Sequence, residues 1–84
     1  MTGRIEIAFT NAEGAVLRML GAVERRGFEL RSISMSQRDG EDALSLEVRA
    51  RLPERSLDVV AAQLRRLDEV RQVSFSTSGP GASS

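Results

Sequence analysis

The chain contains no cysteine and no histidine. Without cysteine, neither a disulfide nor a thiolate metal site can form. Without histidine, general acid–base catalysis near neutral pH lacks its usual side chain, and a metal site would need carboxylates alone. Tyrosine and tryptophan are also missing, so the only aromatic residues are three phenylalanines. These absences disfavour an enzyme, and we predict no catalytic residue and no metal ligand in this chain.

An excess charge of either sign is missing as well, because the twelve basic and twelve acidic residues cancel. Nucleic-acid binding is driven largely by contacts between cations and phosphates, so a neutral, mixed surface argues against it. No apolar run approaches the ~20 residues of a membrane span, and no signal peptide starts the chain. The sequence predicts a cytoplasmic protein without a nucleic-acid or membrane partner. At 84 residues it has room for one domain, and its small size without cross-links favours an oligomer.

Strand patterns occur in three places. Residues 4–9 alternate between apolar and polar side chains, and so do residues 44–52 and 70–77. The middle segment follows Asp39-Gly40, a dipeptide typical of hairpin turns, and Pro53 ends it. The residues that we expect to point inward are Ile5, Ile7, Phe9, Leu44, Leu46, Val48, Ala50, Leu52, Val73 and Phe75.

Helical spacing occurs twice. The first helix opens near Asn11, whose side chain we predict to act as the N-cap, and it closes on Gly27, an expected left-handed C-cap. The second begins at Pro53 or Ser56. The apolar stripes are Val16, Met19, Leu20 and Val23 in the first helix, and Leu57, Val60, Ala61, Leu64 and Leu67 in the second.

The strand that begins at Phe28 has two apolar phases. Phe28 and Leu30 share one phase, whereas Ile33 and Met35 share the other, and a regular strand cannot bury both sets. Either a bulge near Arg31-Ser32 shifts the phase, or one pair faces a partner molecule rather than the core. Because an exposed edge strand pairs readily with its twin, we predict a homodimer interface that contains Leu30, Ile33 and Met35.

The predicted order is strand, helix, strand, strand, helix, strand. Right-handed crossovers then place both helices on one face of a four-stranded antiparallel sheet, the ferredoxin-like βαββαβ arrangement of the α+β class. We expect one domain over residues 1–77 and a flexible tail over residues 78–84. The opposite face of the sheet should meet water through Arg4, Glu6, Ser45, Glu47, Arg49 and Ser74.

Two motifs resemble a known family. They are Asn11-Ala-Glu-Gly-Ala-Val, which opens the first helix, and Arg25-Arg-Gly-Phe, which joins that helix to a strand containing Ser32-Ile. Over residues 4–77 the chain is similar to the ACT domain of the regulatory small subunit of acetolactate synthase (acetohydroxyacid synthase). Because it stops after one such domain, it most resembles the short small subunit of the isozyme II type.

The resemblance implies a non-catalytic subunit that binds and activates the acetolactate synthase large subunit in branched-chain amino acid biosynthesis. The large subunit holds thiamine diphosphate, a divalent metal and FAD, so no cofactor is expected in this chain. In many members the small subunit also relays valine feedback. ACT domains pair through sheet edges and helices, which agrees with the predicted homodimer.

The resemblance also implies an effector site between two protomers. Asn11, Gly14, Ala15 and Val16 match the effector loop, where the N–H groups of a helix N-terminus can meet the carboxylate of a branched-chain amino acid. Glu29 and Ser34 of the other protomer are the expected second set of contacts. Valine-responsive members carry asparagine at the position of Glu29, so this residue bears directly on valine sensitivity.

Three alternatives remain. The first is a stand-alone ACT-type sensor that binds an amino acid and modulates another protein. The second is an RNA-binding domain of the same element order, which would stack bases on aromatics of the open sheet face, although Phe9, Phe28 and Phe75 read as inward residues. The third is an acylphosphatase-like hydrolase, which would need an arginine cradle where Asn11-Ala-Glu-Gly stands.

Overall fold

A computed structural model describes residues 2–52 and 55–78 of the chain. The elements are β1 (Thr2–Phe9), α1 (Ala15–Arg25), β2 (Phe28–Arg38), β3 (Glu41–Ala50), α2 (Leu57–Arg65) and β4 (Val70–Ser78). The four strands form one antiparallel sheet in the order β2-β3-β1-β4. The predicted ferredoxin-like fold is therefore confirmed. Strand β4 extends to Ser78, while the rest of the predicted tail and the alternative helix start at Pro53 lie outside the described residues.

The core is a single apolar layer between the sheet and the two helices. Each strand contributes alternate residues and each helix one face, and no polar or charged side chain is buried among the described residues. Such a layer supplies the main favourable free energy of folding. Its members are Ile5, Ile7, Phe9, Ala15, Met19, Ala22, Val23, Phe28, Leu44, Leu46, Val48, Leu57, Val60, Ala61, Leu64 and Val73.

Strand β2 contains a bulge at Arg31. Its pairing with β3 slips between Leu30 and Ser32, and after the slip Ile33 lies opposite Leu46. Directly opposed residues of an antiparallel pair point to the same face of the sheet. Because Leu46 is buried, Ile33 shares the core face, and the bulge interpretation is confirmed. Even so, Ile33 is 48% exposed and Met35 is 49% exposed, so the core face continues beyond the part that the helices cover.

The connection between β2 and β3 is a two-residue turn. Arg38 pairs directly with Glu41, and both residues between them have positive φ, 53° at Asp39 and 76° at Gly40. Two successive positive φ values are the mark of a type I′ turn, whose twist matches that of the flanking strands. The hairpin predicted from Asp39-Gly40 is confirmed.

The start of α1 differs from the prediction. Gly14, with φ 79°, is the N-cap residue, and no side chain caps the helix there. The Ala15 N–H instead donates to the Ala12 carbonyl oxygen at 3.0 Å. The prediction that Asn11 caps α1 is wrong, because the chain enters the helix through a left-handed glycine three residues later.

The other helix ends agree better. Gly27 has φ 90° and its N–H donates to the Glu24 carbonyl at 3.1 Å, so the left-handed C-terminal glycine is confirmed. Ser56 is the N-cap of α2 and accepts from the Asp58 N–H at 3.2 Å. Helix α2 ends before Leu67, which packs on the core from the following turn. Leu52, predicted to point inward, follows the end of β3 and is 45% exposed.

Within the part of the chain that the structure describes, neither helix has the length and apolar character needed to cross a bilayer.

Leu44 provides a test of the core. Its side chain is fully buried, so Leu44→Ala should lower the free energy of unfolding by about 2–5 kcal/mol through lost burial and a residual cavity. The change Ser74→Ala, at an exposed position on the open face of β4, should shift it by less than about 0.5 kcal/mol. Urea denaturation of the two variants measures the difference, and equal losses would contradict the assignment of the faces.

Candidate functional site

The turn that joins β1 to α1, residues Thr10 to Gly14, is called the front turn below. Asn11, Ala12 and Glu13 are exposed, and Gly14 is half-buried. The Gly14 carbonyl accepts the N–H of Arg18 at 3.0 Å, which closes the first turn of α1. The front turn therefore stands at the positive end of the α1 dipole, an arrangement that favours the carboxylate of a ligand.

The residues predicted for the effector loop differ in burial and in the use of their backbone N–H groups. The Ala15 side chain is 1% exposed and belongs to the core, and its N–H is already used by the Ala12 carbonyl. Val16 is half-buried and packs against the core. Asn11 and the backbone of Gly14 are the parts of this loop that remain open at the surface.

A set of polar contacts fixes the front turn to the turn between α2 and β4. The Thr10 N–H donates to the Glu69 carbonyl at 2.8 Å, and the Thr10 hydroxyl accepts from Arg71 Nε at 3.0 Å. The Arg18 guanidinium donates to the Glu69 carboxylate. We call these four residues the clamp. A shallow groove of about 490 Å³ lies between the two turns, lined by Thr10, Ala12, Asp68, Glu69, Val70 and Arg71.

Sequence reasoning missed the clamp. Arg18 stands off the apolar stripe of α1, and Glu69 lies 51 positions away in the chain. The signal available in the sequence was topological. Strands β1 and β4 are antiparallel neighbours in a ferredoxin-like sheet, so the turn after β1 and the turn before β4 lie at the same end of the two strands.

The ionised form of Glu69 is favoured by its surroundings. Its own backbone N–H, followed by the Arg18 guanidinium, holds the pKa of the Glu69 carboxyl below its usual range. The clamp therefore contains a carboxylate that stays charged as the pH falls further than an isolated glutamate would.

The predicted contacts on β2 lie elsewhere in the same chain. Glu29 opposes Arg49 and Ser34 opposes Ser45, which places both on the open, polar face of the sheet. Arg49 in turn pairs with Thr2 at the beginning of β1, whereas the front turn follows the end of that strand. Seven residues of strand, roughly 23 Å, separate the level of Glu29 from the front turn. Ser34 is level with Glu6, three residues before the end of β1, but lies two strands away from it on β2. One chain does not bring the two halves of the predicted site together.

Glu29 also has a local partner. Arg31, the bulged residue, places Nη1 3.5 Å from Glu29 Oε2, and both side chains are about half exposed. An exposed pair of this kind contributes little to stability.

None of the three phenylalanine side chains lies on the open face of the sheet. Phe9 and Phe28 are buried, and Phe75 packs against the core. The stacking platform of an RNA-binding domain is therefore missing. Among residues 2–52 and 55–78, no three acidic side chains gather closely enough to hold a metal ion.

The family of the chain follows from its sequence. The family model of the ACT domain matches residues 11–73, three quarters of the chain, and this stretch begins at the front turn and ends in β4. The chain therefore belongs to the ACT domain family. ACT domains are regulatory modules, so membership indicates an amino-acid-binding, regulatory role. A comparison with curated protein sequences gives no significant match.

Solved structures from several proteins share the fold. The ACT domain of GTP pyrophosphokinase from Chlorobium tepidum is 19% identical, with a TM-score of 0.72 over 89% of this chain and 96% of that one. The C-terminal domain of the MgtC protein from Mycobacterium tuberculosis is 14% identical, with a TM-score of 0.72 over 89% and 84%. The acetolactate synthase small subunit from Thermotoga maritima is 22% identical, with a TM-score of 0.72 over 89% of this chain and 47% of that one. Identities this low show the fold alone.

Gly14 gives a test of the front turn. Its φ of 79° should cost about 1–2 kcal/mol for an alanine, and the new Cβ would lie 3.1 Å from Arg18 Nη1 of the clamp. Gly40→Ala is the matched control, because Gly40 has φ 76° but no neighbouring atom within 4 Å of the Cβ position. Urea denaturation should show both variants destabilised, Gly14→Ala the more. If Gly40→Ala lowers the free energy of unfolding more than Gly14→Ala does, the contact with Arg18 has no effect on stability.

The pKa of Glu69 predicts a pH dependence. Because its pKa is lowered in the folded chain, the stability from its charge should be fully present above the unfolded value and lost as the pH falls through the folded value. The stability difference between wild type and Glu69→Gln should therefore be larger at neutral pH than near pH ~3. In an Arg18→Gln background the difference should shrink without vanishing, since the backbone contact remains. Denaturation across pH checks this, and a difference that grows in acid would contradict it.

Proposed function

We propose that this chain is a non-catalytic small subunit that binds and activates the acetolactate synthase large subunit. The proposal rests on the front turn: a left-handed Gly14 opens α1 within the sequence Asn11-Ala-Glu-Gly, the motif that resembles the effector loop of these subunits. The Arg25-Arg-Gly-Phe junction, with its left-handed Gly27, supports the same resemblance. Structural similarity to the Thermotoga maritima small subunit is compatible with this function, although the shared region is about half of that protein.

We place the effector site between two protomers. Strand β2 is at the edge of the sheet, and it begins at the end of the molecule opposite the front turn. When two such edges pair antiparallel, the beginning of one β2 lies beside the end of the other. Glu29 of the second protomer then approaches the front turn of the first. The carboxylate of a branched-chain amino acid would meet the backbone of Gly14 and the side chain of Asn11.

The surface of the edge supports this dimer. Ile33 and Met35 are half exposed although they lie on the core face, and the α1 residues Val16 and Leu20, which also sit at the margin of the core, are partly buried. Leu30 packs against the core as well. An uncovered apolar margin beside an edge strand is a surface that a second copy can bury.

A stand-alone ACT sensor is the second candidate. The ACT domain of GTP pyrophosphokinase matches over 96% of its length with the same TM-score as the acetolactate synthase small subunit. The backbone of this chain is therefore equally similar to an ACT domain from a different kind of protein. Gel filtration of the chain mixed with the large subunit from the same organism separates the candidates. Co-elution supports the subunit, and separate elution with retained amino-acid binding supports the sensor.

The direct test is acetolactate formation by that large subunit with and without this chain, across added valine, leucine and isoleucine. We expect higher activity when the chain is present. Gly14→Asp, which places a charge at the front turn, should remove any response to the amino acid, and Gly14→Ala, which brings the same backbone strain without the charge, is its control. Unchanged activity of the large subunit on addition of the folded chain would exclude the activating function.

Glu29 yields a separate prediction. Replacing the carboxylate with asparagine removes a like charge from the path of the effector carboxylate, so Glu29→Asn should strengthen valine binding at least about tenfold, or about 1.4 kcal/mol. Ser32→Asn, on the same strand and the same open face, is the matched control and should leave binding unchanged. Calorimetric titration of valine into the three proteins measures the effect. Equal affinities in all three would remove position 29 from the site.

A further inference from the structure

The charges of this neutral chain are unevenly placed along β2. Four arginines gather where β2 begins; this group, called the basic end, consists of Arg25, Arg26, Arg51 and Arg55. They come from two segments, the end of α1 and the connection between β3 and α2, which meet at Gly27, although the Arg25 guanidinium lies back along α1 beside Gly21. The Arg51 N–H donates to the Gly27 carbonyl at 2.9 Å, and the Arg55 Nε lies 2.6 Å from the position that a Cβ of Gly27 would occupy.

Acidic residues stand at the other end of β2. Asp39 and Glu41 are exposed at the β2–β3 turn and Asp42 follows them half-buried; these three form the acidic tip. The described ion pairs join Arg4 to Glu47, Arg18 to Glu69 and Arg31 to Glu29. Neither the basic end nor the acidic tip pairs with another described side chain. In the sequence, Glu24 and Glu54 adjoin the basic end and Arg38 adjoins the acidic tip.

The stability of the fold does not account for all of the basic end. Arg25 and Arg26 suit the negative end of the α1 dipole. Arg55, however, immediately precedes Ser56, the N-cap of α2, where the helix dipole disfavours a cation. Its side chain lies across Gly27 and adds its charge to three others. The helix dipoles therefore account for Arg25 and Arg26 but not for Arg55, and the resulting local excess of positive charge would attract an anionic partner.

The acidic tip of a second copy of the chain has the negative charge that the basic end would bind, and the length of β2 separates the two groups. Strand β2 has 11 residues and is unpaired along its outer side. At about 3.3 Å per residue it runs about 33 Å from the basic end to the acidic tip. A two-fold axis through paired β2 edges would set each basic end beside the acidic tip of the other copy, and this match would occur twice.

We propose that the basic end of one protomer binds the acidic tip of a second copy of the chain, and that these paired charges fix the antiparallel orientation of the two β2 edges. All twelve basic residues are arginine, whose forked guanidinium suits carboxylates. The inference rests on the proposed homodimer and is independent of the enzyme that the chain regulates. The same orientation carries Glu29 to the front turn of the partner, which completes the proposed effector site.

The experiment uses charge reversal in the full chain, with the dimer constant measured by sedimentation at low salt. Arg26→Glu and Glu41→Arg should each weaken self-association at least about tenfold, because each homodimer would oppose like charges at both ends. Mixing the two variants should restore dimers, since each end then meets an opposite charge. Arg66→Glu is the matched control, because Arg66 is the C-cap of α2 as Arg26 is of α1, and it should dimerise like wild type.

A cysteine scan locates the axis. The chain has no cysteine, so Ser32→Cys, Ser34→Cys or Ser36→Cys adds a single thiol to β2. One position should form a covalent dimer readily and the others poorly. The proposal is overturned if wild type is monomeric at tens of micromolar, if Arg26→Glu dimerises like the control, or if the folded variants fail to associate when mixed. Growth into larger assemblies would show end-to-end association and also overturn it. None of these readouts involves a large subunit, so a failed activation assay leaves them unaffected.

Discussion

The extra residue at Arg31 determines which side of the molecule is apolar along the whole of β2. In a regular strand, Phe28 and Met35 would point to opposite faces, and one apolar side chain would emerge among the polar residues of the open face. The bulge returns both to the core face, where Met35 lies opposite Leu44. Since this edge strand extends past the cover of the helices, the same apolar layer serves as the core at one end and as the proposed contact between protomers at the other.

The clamp gives the front turn a definite position relative to the rest of the fold. Thr10 contacts Glu69 through its backbone and Arg71 through its hydroxyl, while Arg18 binds the Glu69 side chain from α1. A ligand that displaced the turn would have to break these contacts or move the start of β4 with it. The clamp therefore couples the position of the front turn to β4, the edge strand opposite β2.

Local patterns were sufficient to predict most of the fold. The alternation at Leu44 and Leu46 and the Asp39-Gly40 turn each depend on a few neighbouring residues, and the mixed phases of β2 already suggested a bulge. The capping prediction for Asn11 failed because a left-handed Gly14 places the helix start later, and sequence spacing does not report φ. The clamp required contacts across half the chain. The proposed effector site joins residues of two protomers, so neither sequence spacing nor one folded chain brings Asn11 and Glu29 together.

The order of the strands also bears on how the chain reaches its native state. The β2–β3 hairpin closes a two-residue turn and can form within microseconds, whereas β1 is the central strand between two partners that both follow it in the chain. During synthesis β1 emerges first and stays unpaired until β3 is made, and its pairing with β4 closes a loop from Phe9 to Val70. Loop closure of this kind carries an entropy cost that the hairpin avoids. The slow step of folding should therefore be the capture of an early strand by late ones, with Ile5 and Ile7 exposed until it occurs.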